Sequence, residues 1–424
     1  MRYLIAHCIL AAILIAGFAA CEIKDDPTTS RTTIAIVSTG DPGGSNNLSF
    51  MFATNHYVNR VYRINLDNLD VDEIKTGSKP RSIAASPDGR FVACANEESN
   101  SITLIGVVSL AKWTVAVGMT PVDLSFSPDG ERLAVANYHS GTVVVIDTAT
   151  RDMSVYYPCT GPSGMDFDDD SKLLAVACYY SDTVQFIDVK EKTLMDAETE
   201  DGYEIYERTQ VVKFGRDGTN AKNLFFAGFR EGPWDEAESS VNYSIAVIDL
   251  EENPWDPYFV EAAINPRGFL FNHAGDKLVS IHHGQDPIVT LDDPDSWWTY
   301  TYTSSGAYIP GQVSVLGIDE DRNVGLLNRY VVEGNPVAAV LDPHRDLVAV
   351  ADKENGEVAF IDLDNERQFS VSTETRPYAL AFNSSGTKVI VVHETPMMPV
   401  SIIDVQARSS KIIFKSLPMR NWIE

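Results

Sequence analysis

Residues 121 to 157 read PVDLSFSPDGERLAVANYHSGTVVVIDTATRDMSVYY, and this stretch decides the fold. It holds four short apolar or alternating runs, Val122 to Ser127, Leu133 to Asn137, Thr142 to Asp147 and Met153 to Tyr157. Runs of this length, rich in Val, Ile and Leu and separated by Gly, Asp, Asn and Pro, are strands. The first two are joined by Ser127-Pro128-Asp129-Gly130, in which Pro presets one turn dihedral and Gly supplies the positive φ that closes a hairpin. The third ends in Val145-Ile146-Asp147, whose carboxylate is suited to bonding turn amides.

The same unit recurs along the chain, starting near Pro80, Pro121, Pro162, Gln210, Pro266, Pro336 and Pro377. The steps from Pro80 to Pro121, Pro121 to Pro162 and Pro336 to Pro377 are each 41 residues. A period of this size marks a propeller or a solenoid, and four antiparallel strands per unit select the propeller, whose closed ring protects the sheet edges. The turn recurs as Ser86-Pro87-Asp88-Gly89 and Asn383-Ser384-Ser385-Gly386, and the Ile-Asp ending recurs at Asp188, Asp249, Asp362 and Asp404. An aspartate repeated in one register is structural rather than catalytic. Ahead of Pro80, the runs Ile34 to Ser38, Phe50 to Thr54, Arg60 to Leu66 and Val71 to Lys75 supply one more unit. The expected fold is therefore an all-β propeller of eight blades over residues 34–418. Seven blades, with strands shared between the two ends of the chain, are the alternative.

Ala134-Val135-Ala136-Asn137 followed by Val143-Val144-Val145-Ile146-Asp147 resembles the YVTN-type propeller repeats, a family that includes surface-layer and lactonase-like members. The resemblance covers residues 80 to 415 and implies the fold; the fold itself hosts many activities.

The N-terminus carries a second message. Arg2 precedes an apolar run from Ile9 to Ala20, the charged-then-hydrophobic order of a secretory signal, too short to span a bilayer. Phe18-Ala19-Ala20-Cys21 resembles a bacterial lipobox, which implies a signal peptide at 1–20 and lipidation of Cys21. Residues 21–33 are polar and read as a flexible tether, and Lys24-Asp25-Asp26 resembles the start that sends lipoproteins of Bacteroidetes-type bacteria to the outer face of the outer membrane. The periplasmic face is the alternative. The expected partners are the membrane, through this lipid, and an outer-membrane transporter. Cys94, Cys159 and Cys178 are left for the folded domain, an odd number without metal-site spacing, and read as buried apolar side chains.

The 424 residues carry 33 Lys and Arg against 60 Asp and Glu, a net charge of −27, which argues against a nucleic-acid partner. No G-x-S-x-G elbow, HExxH, P-loop or dinucleotide fingerprint occurs, and no cofactor is named. Propeller lactonases are the nearest enzymatic resemblance, through Pro266-Arg267-Gly268-Phe269-Leu270-Phe271, but Gly268 and Ser82 stand where that family tends to carry histidine.

In a propeller, the loops after each second strand and those leading into each first strand share one face, the usual ligand mouth. There the sequence places Arg81, Arg267 and Arg376 beside the prolines that open first strands, together with His56, His139, His283 and His393. By the blade count only His56 and His393 are neighbours, which disfavours a metal site. Two long mouth segments are aromatic: residues 230–242 with Trp234, and residues 284–311 with Trp297, Trp298 and Tyr300. The expected function is a non-catalytic binding scaffold for a glycan or small molecule, with an anionic group on the arginines and a ring on the aromatics; a lactonase-like hydrolase is the alternative.

Overall fold

The structure is a computed structural model that describes residues 34–39, 48–65, 68, 70–195, 203–204, 209–216, 218–229, 243–251, 257–263, 265–283, 310–373, 376–383, 385–394 and 399–414. Cys21, Trp234, Trp297, Trp298 and Tyr300 lie outside these residues.

Among the described residues, eight antiparallel blades follow one another along the chain, each of four consecutive strands, and in blade 4 the short strand Tyr203–Glu204 adds a fifth by pairing with Thr183–Asp188. Blade 1 runs from Ile34–Thr39 to Val71–Lys75, blade 2 from Pro80–Ala85 to Lys112–Ala116, and blade 3 from Pro121–Phe126 to Met153–Tyr156. Blade 4 begins at Pro162–Phe167, blade 5 at Val211–Phe214, blade 6 at Pro266–Phe271, blade 7 at Pro336–Leu341 and blade 8 at Pro377–Phe382. First strands of successive blades are neighbours, and that of blade 8 meets that of blade 1. The count of eight holds, and among the described residues no strand is exchanged between the two ends of the chain: blade 8 is built from Pro377–Phe382 through Ser409–Phe414.

What closes the ring is side-chain packing. Because successive residues of a strand point to opposite faces, each blade divides its apolar residues between two neighbours. Phe50 and Phe52 face blade 2 with Ile83, Val92 and Ile105, whereas Met51, Ala53, Tyr62 and Ile64 face blade 8 with Ala381, Ile390 and Val392. The same division gives one buried cluster at each seam around the ring.

The aspartates that end third strands bond turn amides as expected. Asp147 Oδ1 accepts from the N–H groups of Ala149 and Thr150 at 2.9 and 2.7 Å, Asp188 and Asp362 do the same in their blades, and Asp404 Oδ1 accepts from Ala407 N–H at 2.8 Å.

The cysteines differ from the sequence reading. Cys94 is buried and free, its thiol pushed up by burial, but Cys159 and Cys178 form a disulfide with a Cα–Cα distance of 5.9 Å. Cys159 belongs to the loop leading into blade 4 and Cys178 ends that blade's second strand. The antiparallel pairing of Pro162 with Cys178 brings the two together, a proximity invisible to an argument from an odd count.

Candidate functional site

Two local devices build the mouth. The first is a bulge. In blade 2 Pro80 pairs with Asn96 and Ser82 with Ala95, so Arg81 is the extra residue; in blade 6 Pro266 pairs with His282 and Gly268 with Ile281, so Arg267 is extra. Val122, Ser163, Val337 and Tyr378 hold the same place in blades 3, 4, 7 and 8. Blades 1 and 5, whose first strands lack the proline, pair there without a shift. Proline removes a ladder donor at the strand's first residue, and the bulge that follows re-aims one side chain.

The second device is a backbone bond. In the blades whose first strand opens on proline, the residue after the second strand donates its N–H to the residue just before that proline: Glu97 to Lys79 O at 3.0 Å, Tyr138 to Thr120 O at 2.9 Å, Tyr179 to Gly161 O at 3.0 Å, His283 to Asn265 O at 3.3 Å, Lys353 to Asn335 O at 3.0 Å and Glu394 to Arg376 O at 2.9 Å. These bonds bring both sets of loops to one face and set one side chain per blade around the floor of the mouth.

Read around the ring, these positions divide into two arcs. Tyr138, Tyr179 and Phe229, from blades 3 to 5, are buried aromatics. His283, Lys353, Glu394, His56 and Glu97, from blades 6, 7, 8, 1 and 2, carry ionisable side chains.

The charged arc is tightly coupled. Lys353 Nζ lies 2.8 Å from Glu394 Oε2 and 5.5 Å from the Tyr378 ring centre. Arg376 Nη2 lies 3.9 Å from Glu394 and is 57% exposed, so its fork is open to a ligand. Arg81 Nε is 3.2 Å from Glu97 Oε2, an ion-pair distance rather than an aligned hydrogen bond. The neighbouring Glu98 meets Lys79 at 3.6 Å. Arg267 Nη1 donates to Gln210 Oε1 at 2.8 Å. Burial and then Arg81 hold the His56 imidazole below its ordinary range, against the pull of Glu394. Burial, Arg267 and Lys353 hold His283 well below it. His393 is no mouth residue: it ends the second strand of blade 8, is 1% exposed, and meets Ser401 Oγ at 2.7 Å. Among the described residues no group of three or more His, Cys, Asp and Glu is placed to hold a metal ion.

The aromatic arc was missed as a unit. Tyr138 packs on Tyr180 with ring centres 5.5 Å apart, Tyr179 meets Tyr180 edge-on at 5.1 Å, and His139 stands at right angles to Tyr138 at 5.1 Å. Tyr138 and Tyr179 are buried whereas Tyr180 is 61% exposed, so an open ring rests on two fixed ones. Gly161, at φ +71°, lets the chain pass under them: a Cβ there would stand 2.8 Å from Tyr180 Cδ2. Cys178 precedes Tyr179, so the disulfide clamps the arc from below. The signal was available in the Tyr138-His139 and Tyr179-Tyr180 pairs, which stand 41 residues apart.

No protein-family model and no curated protein matches this chain. Solved structures do. A hydrazine synthase of Kuenenia stuttgartiensis superposes with a TM-score of 0.53 at 16% identity, over 80% of this chain and 96% of that one. The dihydro-heme d1 dehydrogenase NirN gives 0.62 at 14% identity, over 87% and 74%. A provisionally named 6-phosphogluconolactonase of Bacteroides uniformis gives 0.51 at 10%, over 81% and 97%. At these identities the likeness is one of fold.

Proposed function

We propose that this chain is an exported, lipid-anchored propeller on the outer face of the outer membrane that binds a small molecule or glycan without turning it over, in service of an outer-membrane transporter. The observation that carries the binding role is the divided mouth, in which a cation-rich arc faces a preorganised aromatic one across a rigid ring. Such a floor suits a ligand with an anionic group and a ring. Arginine offers a planar fork for carboxylate or phosphate, and fixed aromatic faces offer stacking area at little entropic cost. The net charge of −27 repels anions at long range, but salt screens that field beyond about 8–10 Å, leaving the local arginines in control.

Binding is favoured over hydrolysis because the charged groups here largely satisfy one another, as in Lys353–Glu394 and Arg81–Glu97. His56 and His283, held below their ordinary range, are also weaker bases than a free imidazole. Export is supported by the Cys159–Cys178 disulfide, which suits an oxidising compartment, and by the lipobox-like segment ending in Cys21. The test is to titrate the detergent-solubilised chain with a panel of anionic glycans and sugar lactones while following turnover. Retention without turnover is expected. Robust lactone hydrolysis that disappears in Arg267→Ala overturns the reading.

A further inference from the structure

The place where the chain enters the ring decides how an anchored propeller stands on its membrane. Ile34–Thr39, the first strand of blade 1, belongs to the inner ring, beside the first strands of blades 2 and 8. It runs antiparallel to Leu48–Asn55, with Ile34 opposite Ala53 and Thr39 opposite Leu48. Since that second strand ends at the mouth, where His56 follows it, Ile34 also lies at the mouth end and the chain enters from the mouth side. Cys21 precedes Ile34 by 13 residues. A flexible chain of that length spans about 20 Å r.m.s. and about 45 Å when fully drawn out. Passing over the outer edge to the opposite face takes about 14 Å across four strands and about 20 Å along a strand of six residues, before any loop is cleared. A route down the ring axis spends the second of these distances alone. The mouth side is thus reached without stretching, and the opposite face only by consuming the whole r.m.s. span or more.

The two faces also differ in charge. On the mouth side Lys79, Arg81 and Arg376 stand among Glu97, Glu98 and Glu394, so the two signs are mixed. The opposite face is made of the turns between first and second and between third and fourth strands. It carries acidic runs, Asp168-Asp169-Asp170 in blade 4 and Asp319-Glu320-Asp321 in blade 6. Headgroup phosphates repel such a face once it comes within about 8–10 Å of them. Tyr57, Met119 and Tyr180, each more than half exposed, lie on the mouth side, and the amphipathic tyrosine ring suits the boundary between water and lipid.

We propose that the mouth is the membrane-facing side of the protein and that the acidic turns point away from the bilayer. The partner surface is the bilayer that holds the chain's own lipid. The proposal rests on the lipid-anchored reading and adds the orientation to it.

The experiment is energy transfer from a fluorophore on the lipidated full chain to an acceptor on the headgroups of phosphatidylcholine–phosphatidylglycerol vesicles. Cys94 is buried and Cys159 is bonded to Cys178, so one added thiol takes the label. Glu98→Cys and Glu354→Cys place it on the mouth side of blades 2 and 7, and Glu131→Cys and Glu320→Cys on the opposite side of blades 3 and 6, all at exposed positions. Thermal unfolding of each labelled chain confirms that it is folded. Transfer from both mouth labels is expected to exceed that from both opposite labels severalfold. Equal transfer from all four, or stronger transfer from the opposite pair, overturns the proposal and leaves the anchor in place. Strong transfer from blades 2 and 3 with weak transfer from blades 6 and 7, or the reverse, reports a ring standing on its edge and overturns it as well. A chain that fails to float with the vesicles removes the lipid anchor itself, and the proposal falls with that reading.

Discussion

Cys159 and Cys178 stand in the two register positions that Gly118 and Asn137 hold one blade earlier, and Gly77 and Asn96 two blades earlier. A Cβ built on Gly118 would lie 2.7 Å from Asn137 Cβ, and one on Gly77 would lie 2.8 Å from Asn96 Cβ, so this pair of sites is always in contact. In blade 4 both members change together and the contact becomes covalent. The bond closes a loop spanning 19 residues, for which the chain-entropy argument gives about 3 kcal/mol. Reductant is expected to lower the unfolding midpoint by a corresponding amount, and the double variant Cys159→Gly, Cys178→Asn is expected to fold and lose its response to reductant. Unfolding curves with and without reductant check both.

Stability is expected to fall on the acid side through Asp346. Burial raises its pKa, but hydrogen bonds from the His273 side chain and backbone and from Asn272 outweigh burial and bring the net value below the ordinary one. A carboxylate depressed in the folded state contributes stability that is fully present above its unfolded value near 3.9 and is lost as pH falls through the lower folded value. Asp346→Asn is expected to be less stable near pH 6 and to show a shallower loss between about pH 4 and 2. Denaturant midpoints across that range decide it.

At the mouth, two kinds of variant separate charge from stacking. Replacing Arg81, Arg267 and Arg376 together by alanine is expected to weaken an anionic ligand at least tenfold and to flatten the salt dependence of its binding. Tyr180→Ala, and separately removal of residues 295 to 308, are expected to weaken it while leaving the salt dependence intact. Titrations at two ionic strengths distinguish these outcomes.

Cys21→Ala is expected to move the protein from the membrane fraction to the soluble one. Protease added to whole cells is expected to degrade the native protein, as an outward-facing anchor requires; protection of the native protein places it on the periplasmic face.

Ring closure by packing has its own consequence. Ile390 is buried in the seam shared by blades 8 and 1, so Ile390→Ala is expected to cost about 2–5 kcal/mol, as core truncations do. Tyr157, exposed at 72%, serves as the comparison, and Tyr157→Ala is expected to stay within about 0.5 kcal/mol. Equal effects of the two would show that the seam contributes little to the fold.

The eight blades, their order and their turns were legible in the chain, because each rests on short-range chemistry repeated in one register. Period-2 runs make strands, Pro and Gly make the Ser127-Pro128-Asp129-Gly130 turn, and Asp147 and its counterparts cap the next. The prolines did more than open strands: they fixed which residue bulges, and so which arginines reach the mouth. Relations between units followed from the tertiary structure alone. Closure by packing, the Cys159–Cys178 bond, the pairing of Arg81 with Glu97, and the burial of His393 depend on where one strand end lies against another. Sequence spacing determined the repeat because the forces that shape a hairpin act over a few residues; the division of the mouth into an aromatic and a charged arc was decided only when the ring brought the ends of distant strands within contact distance.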